Sequence, residues 1–211
     1  MGKPRVVVLD YGAGNIHSVK NGLRHVGAQV DLSKDPQDIL KADGLLVPGV
    51  GAYDVVMSAL HASGAPRWIG QRIAGGRPVL GICVGHQVFF EGGVEHGIKT
   101  EGLGEWPGIV EKLDAPMLPH VGWDFVKAPL DTEMFEGVAD ERFYFVHSYA
   151  VQQWDFEVGN PKIKAPLVTW AHHGTDFIAA MENGPLWSTQ FHPEKSGRAG
   201  LQLLRNWVET L

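Results

Sequence analysis

A β-branched run, Arg5-Val6-Val7-Val8-Leu9, breaks into the glycine turn Asp10-Tyr11-Gly12-Ala13-Gly14, and the pattern it starts constrains the fold more than any other feature. An unbroken apolar run of this length reads as a strand buried on both faces. Behind the turn, Ile16, Val19, Leu23 and Val26 recur at helical spacing, Asn15 stands where a cap belongs, and Gly27 suits a left-handed stop. Strands recur at residues 28–32, 44–47 and 78–82, and helical stretches at 53–61, 67–74 and 84–91. Alternation of this kind predicts an α/β fold with a mostly parallel central sheet and helices on both faces. After Gly92 the texture changes to short strands with Pro and Gly turns, at 109–113, 123–127, 142–151, 167–172, 176–181 and 186–191, expected to pair mostly antiparallel. A last helix over 198–210 carries Leu201, Leu204, Trp207 and Val208 on one side. Without an internal repeat, linker or low-complexity tract, residues 1–211 are expected to form one domain.

Composition narrows the function classes. A net charge of -6 without a Lys/Arg run argues against a nucleic-acid binder. The apolar runs fall far short of the roughly 20 residues that cross a bilayer. Val6 occupies the position where a myristoylation signal needs Ser or Thr, and no signal-peptide core follows, so the protein is expected to be cytoplasmic. The single cysteine, Cys83, has no partner for a disulfide and cannot build a thiolate metal site, which leaves its reactivity as the property of interest.

Cys83 stands in Gly81-Ile82-Cys83-Val84-Gly85, where the strand at 78–82 is expected to run into the helix at 84–91. A sharp strand-to-helix turn holds a nucleophile in a strained conformation and needs small residues on both sides, which Gly81 and Gly85 supply. Unpaired N–H groups at the helix start would favour the thiolate. The competing reading, a small buried hydrophobe, needs neither glycine. A thiol nucleophile requires a base and a group to orient that base. His192 and Glu194, in Phe191-His192-Pro193-Glu194 after the last strand, are the candidates, and two residues apart they can face the same way in an extended segment. Taken alone, that tetrapeptide is equally consistent with a solvated loop. Adjacent His172 and His173 point to opposite faces of a strand, so neither they nor the helical His17, His25 and His61 predict a metal site. Gly12-x-Gly14 invites a dinucleotide-binding reading, but His17 occupies the third glycine position, and no cofactor is expected.

The elbow Gly-x-Cys-x-Gly-x-Gln at 81–87, followed by Phe-His-Pro-Glu at 191–194, resembles the two signatures of the class I, or triad, glutamine amidotransferases. Five further segments, at 10–15, 48–51, 119–123, 145–149 and 192–197, resemble one branch, the glutaminase subunits of imidazole glycerol phosphate synthases in histidine biosynthesis. The resemblance runs over essentially the whole chain. Its departures are Val84 and His86 where Leu and Met are expected, Trp106-Pro107 in place of a more aliphatic pair, and Asp124 for Asn; His86 is expected to pack.

The resemblance implies a flavodoxin-like fold with a smaller antiparallel sheet, and the triad Cys83, His192 and Glu194. It places oxyanion donors at Val84, Val50 and Gly51, and glutamine-binding groups at Gly49, Gln87, Glu95, Ser148 and Tyr149. A carboxylate such as Glu95 is the simplest partner for the ammonium of a free amino acid. The resemblance also implies a separate (β/α)8 cyclase subunit that receives the ammonia, docked on a face carrying Asn15, Pro119, His120, Gly122, Trp123 and Lys195. The 48–51 loop is expected to await that partner. Still open are a glutaminase of pyridoxal phosphate or anthranilate synthesis, a γ-glutamyl cysteine hydrolase, and a silent binding module.

Overall fold

The computed structural model describes residues 2–12, 15–156 and 164–211; Gly14 of the N-terminal turn lies outside them. The alternation expected from the first 83 residues is present: β1 (Arg5–Leu9), α1 (Ile16–His25), β2 (Gln29–Ser33), α2 (Pro36–Lys41), β3 (Gly44–Gly49), α3 (Tyr53–Ser63), α4 (Ala65–Ala74) and β4 (Val79–Cys83). Strands β1 to β4 pair in parallel, and all six residues of β3 and all five of β4 are buried, which is why they read as continuous apolar runs. Helix α2 was not expected from the apolar spacing, although Asp35 caps it through a 2.7 Å bond from the Gln37 N–H and Pro36 opens it. Gly27, at φ 105°, ends α1 as expected. Asn15 stands at the N-cap of α1, but its amide donates to Ser18 Oγ at 3.2 Å instead of accepting a backbone N–H.

The expected helix over 84–91 is cut to a single turn, α5 (Val84–Gln87), and the chain re-enters a strand, β5 (Phe90–Glu95). A Cβ on Gly93 would press on the Tyr53 ring at 2.9 Å, and one on Gly92 would meet the Thr100 carbonyl at 2.7 Å. These close approaches need glycines and tie the segment into a four-stranded sheet with β6 (Ile98–Glu101), β7 (Trp106–Lys112) and β10 (Tyr149–Val151). The run expected at 142–151 is therefore two strands, β9 (Arg142–His147) and β10, which part at Ser148. Strand β9 pairs antiparallel with β8 (His120–Phe125) in a separate ribbon.

The remaining strands, β11 (Leu167–His173), β12 (Thr175–Asn183) and β13 (Leu186–Thr189), extend the main sheet in the order β11-β12-β13-β4-β3-β1-β2. Pairing is antiparallel from β11 to β13 and parallel between β13 and β4, so the catalytic-looking cysteine ends the middle strand of seven among the described residues. A 3-10 turn (Pro193–Lys195) leads to α6 (Gly197–Val208), which buries Leu203, Leu204 and Trp207. Arg72, fully buried, staples the opposite end of the sheet, donating to the carbonyls of Ile39, Ala42, Asp43 and Pro78 at 2.8–2.9 Å.

Candidate active site

Parallel strands leave their carboxyl ends pointing the same way, and Cys83 ends β4 directly beside Gly49 at the end of β3. Its backbone sits at φ 58°, ψ −114°, a region L-residues rarely adopt. The turn closes only because glycines surround it. A Cβ on Gly81 would strike the Gly85 carbonyl and the Phe89 ring, one on Gly85 the Val47 carbonyl, and one on Gly49 the Gly85 amide. The elbow expected from Gly81 and Gly85 is thus a three-glycine clasp, with Gly49 supplied by the neighbouring strand. With only one helical turn behind Cys83, the helix dipole adds little, and side chains carry the electrostatics.

From the other side, β13 delivers residues 190–194 to the same point. The segment is pinned: the His192 N–H donates to the Tyr144 carbonyl at 2.9 Å, and Ser196 Oγ donates to the His192 carbonyl at 2.7 Å. His192 Nδ1 meets Glu194 Oε1 at 2.7 Å, with the two side chains 3% and 1% exposed. That bond commits Nδ1 and leaves Nε2 for Cys83. The pair is not formed in an extended stretch, as expected from spacing; Glu194 lies in the 3-10 turn, which folds its carboxylate back under the ring. Burial alone would push the imidazole down. Hydrogen bonds with Cys83 and Glu194, and the charges of both, outweigh burial and raise His192 to about 9.

A cavity of about 340 Å³ opens over the thiol, lined by Val50, Gly51, Val84, Gln87, Glu95, Ser148, Tyr149 and Lys195 together with Cys83 and His192. Gly49 lies beneath, buried against the elbow. Glu95 Oε2 accepts the Tyr53 N–H at 2.7 Å, and Oε1, with His96 Nε2 no nearer than 3.9 Å, has room for a hydrogen-bond donor. Tyr11 donates its hydroxyl to the Pro48 carbonyl and so holds the start of the 48–51 loop; burial and the nearby Cys83 push its phenol upward. His86 is buried, bonds Ser188 through Nδ1 at 2.7 Å and is lowered by burial to about 3, in keeping with packing. Among the described residues no cluster of three or more His, Cys, Asp or Glu side chains could hold a metal.

The expected docking face divides. On β8 the residues alternate, with Val121, Trp123 and Phe125 54%, 50% and 59% exposed and His120 turned inward. His120 packs on Phe145 and His173 and meets His147 at 3.1 Å, so its side chain belongs to the interior and not to that face. Pro119 is exposed, and Asn15, Gly122 and Lys195 are half-buried. Sequence reasoning missed Val121 and Phe125. It also missed Gln190, fully buried beside Cys83, whose only signal was its place at the end of a strand before the Phe-His-Pro-Glu segment.

A match to the family described as Glutamine amidotransferase class-I spans residues 7–211. The chain belongs to this family. Among curated class-I relatives, the imidazole glycerol phosphate synthase subunit HisH of Thermobifida fusca is 60% identical over 99% of this chain and 100% of its own length. The HisH subunit of Renibacterium salmoninarum is 61% identical over 98% of this chain and 94% of its own. The solved structure of PurLQS from Thermotoga maritima superposes with a TM-score of 0.71 at 18% identity, covering 99% of each chain, a likeness of fold. The flavodoxin-like class-I architecture expected from the sequence is therefore the observed one: a mostly parallel central sheet with helices and a smaller sheet beside it. No helix among the described residues is long and apolar enough to cross a membrane.

Proposed function

We propose that the chain is the glutaminase subunit of an imidazole glycerol phosphate synthase, hydrolysing glutamine at Cys83 and passing the ammonia to a cyclase subunit in histidine biosynthesis. The observation that carries the reading is the line Cys83, His192, Glu194, whose first two members face an amino-acid-sized cavity, together with relatives at about 60% identity that bear this subunit's name. A pyridoxal phosphate or anthranilate glutaminase shares the triad, but the relatives at about 60% identity described above bear the name of the imidazole glycerol phosphate synthase subunit.

In the proposed reaction Cys83 attacks the side-chain amide carbon of glutamine as a thiolate. The oxyanion is received by the Val84 N–H and by the loop donors at Val50 and Gly51; one such donor is worth about 100 to 1,000-fold in rate. His192, held charged through neutral pH, gives its proton to the amide nitrogen, the C–N bond breaks and ammonia leaves. A γ-glutamyl thioester remains on Cys83. Water, deprotonated by the now neutral His192, attacks it, and glutamate departs as the thiol is restored. Glu95 Oε1 suits the substrate ammonium. Gln87, Ser148 and Tyr149 line the same cavity, consistent with holding the substrate, and Gly49 supports the loop from beneath.

Ammonia loses its nucleophilicity once protonated in water, so the product needs a sealed route to its acceptor. The exposed apolar row Val121, Trp123 and Phe125, with Pro119, Gly122, Asn15 and Lys195, supports a docked (β/α)8 cyclase that sets the nitrogen into a phosphoribulosyl intermediate. We place the reaction in the cytoplasm, where a lone catalytic thiol stays reduced. Glutamine hydrolysis by the chain alone, compared with the chain plus cyclase and acceptor ligand, tests the coupling. A large stimulation is expected, and equal rates contradict it.

A further inference from the structure

We propose that Gln190 is a direct hydrogen-bond donor to the Cys83 sulfur, locked in that orientation by a one-way chain of amides that begins at the Tyr149 carbonyl. The inference rests on Cys83 acting as the nucleophile.

Strand register brings Gln190 into place. Thr189 pairs with Ile82, so the residue that follows β13 lies alongside Cys83, and the Gln190 N–H is anchored to the Ala179 carbonyl at 2.8 Å. Its side chain is fully buried and Nε2 lies 3.9 Å from Cys83 Sγ. An amide end could in principle be turned around, because oxygen and nitrogen are nearly the same size. Here the neighbours forbid it. The Tyr149 backbone oxygen can only accept, so Gln87 must present its NH2 there, at 2.9 Å. The same NH2 reaches the Gln190 side chain at 2.9 Å, which requires an acceptor at that end and fixes it as Oε1. The NH2 of Gln190 is thereby the end facing sulfur. His147 Nδ1 meets the Tyr149 carbonyl at 3.0 Å as a second donor, which reinforces the direction of the chain.

A buried N–H aimed at sulfur favours thiolate over thiol. Both donors of Gln87 are spent in this chain, so what Gln87 offers the cavity is its Oε1, an acceptor suited to an N–H or ammonium of the substrate.

Cys83 is the only cysteine, so alkylation of the full chain by iodoacetamide, followed by intact mass across a pH series, reports its thiolate fraction without ambiguity. Gln190→Met keeps the size and removes the donor; Gln87→Met removes the anchor and leaves the Gln190 donor in place. The inference expects the alkylation midpoint of Gln190→Met to rise by about one pH unit, a roughly tenfold loss of thiolate, and that of Gln87→Met to rise by clearly less. In complex with the cyclase, Gln190→Met should lower kcat with little change in KM. A midpoint in Gln190→Met equal to that of the parent chain, or equal shifts in the two variants, overturns the inference. Should Gln190→Met not fold, Gln190→Leu provides the same comparison. Failure of the proposed function is a separate result: a Cys83→Ala chain that still hydrolyses glutamine refutes it whatever the Gln190 variants do.

Discussion

Replacing Cys83 by glycine should leave a more stable protein than replacing it by alanine, the reverse of the order expected almost anywhere else. The pair φ 58°, ψ −114° is the first central position of a type II′ turn, a conformation that glycine dominates. For an L-residue, strain there lies near the upper end of the usual range, about 3 kcal/mol. Alanine keeps that strain and glycine releases it. Against the release stand about 0.5–1 kcal/mol for glycine's greater backbone freedom in the unfolded chain and roughly 0.8 kcal/mol for the buried methyl. The balance favours Cys83→Gly by about 1 kcal/mol. For a chain of this size that is about 2–4 °C in Tm. Calorimetry or urea unfolding of the two variants in the same buffer measures it. An alanine variant as stable as the glycine variant, or more so, would show that the elbow carries no strain and that the three-glycine clasp is ordinary packing.

Three further outcomes follow from the geometry. Glu194→Gln removes the charge that helps hold His192 at about 9, so the alkaline limb of kcat/KM, where His192 loses the proton it must donate, should move acidward by a unit or more. Because the folded value lies above the unfolded 6.5, the associated stabilisation is complete below pH 6.5 and is lost as pH rises through about 9; unfolding free energies of parent and variant should converge across that window, and a constant gap would contradict the pairing. Arg72→Met orphans the carbonyls of Ile39 and Asp43, while the Leu45 N–H still serves Pro78 at 3.1 Å and Arg77 still reaches Ala42 at 2.7 Å, so it should cost about 2–4 kcal/mol by denaturant titration. Trp123→Ala should weaken cyclase binding by 30-fold or more in calorimetric titration, about 2 kcal/mol, without lowering Tm; an unchanged Kd would remove the β8 row from the docking face.

Much of this was legible in the chain because buried parallel strands announce themselves as continuous apolar runs and glycines mark where backbones touch. Gly81 and Gly85 pointed to the elbow, and Phe191 to Glu194 to its partners. The helix expected over 84–91 failed because Val88, Phe89 and Phe90 are apolar without a period that separates helix from strand, and the deciding contacts come from Tyr53, distant in sequence, and from Thr100 on the strand that follows. The inward turn of His120 could have been foreseen: three positions from Trp123 on one strand, it cannot share that face. Gln190 could not, since an amide's direction depends on the groups that meet it, here Gln87 from α5 and Cys83 from β4. Glu194 was identified for the right pairing but the wrong backbone, because Pro193 opens a 3-10 turn that spacing alone does not reveal.

The central claim is that Cys83 carries the acyl group of glutamine. Acid-quenching the chain during turnover with cyclase and acceptor ligand, then weighing its peptides, tests this most directly. The account predicts a γ-glutamyl group on the Cys83 peptide, absent when the partner is omitted or Cys83 is changed to alanine. Steady release of ammonia with no adduct on Cys83 at any quench time, and undiminished in the alanine variant, would contradict it.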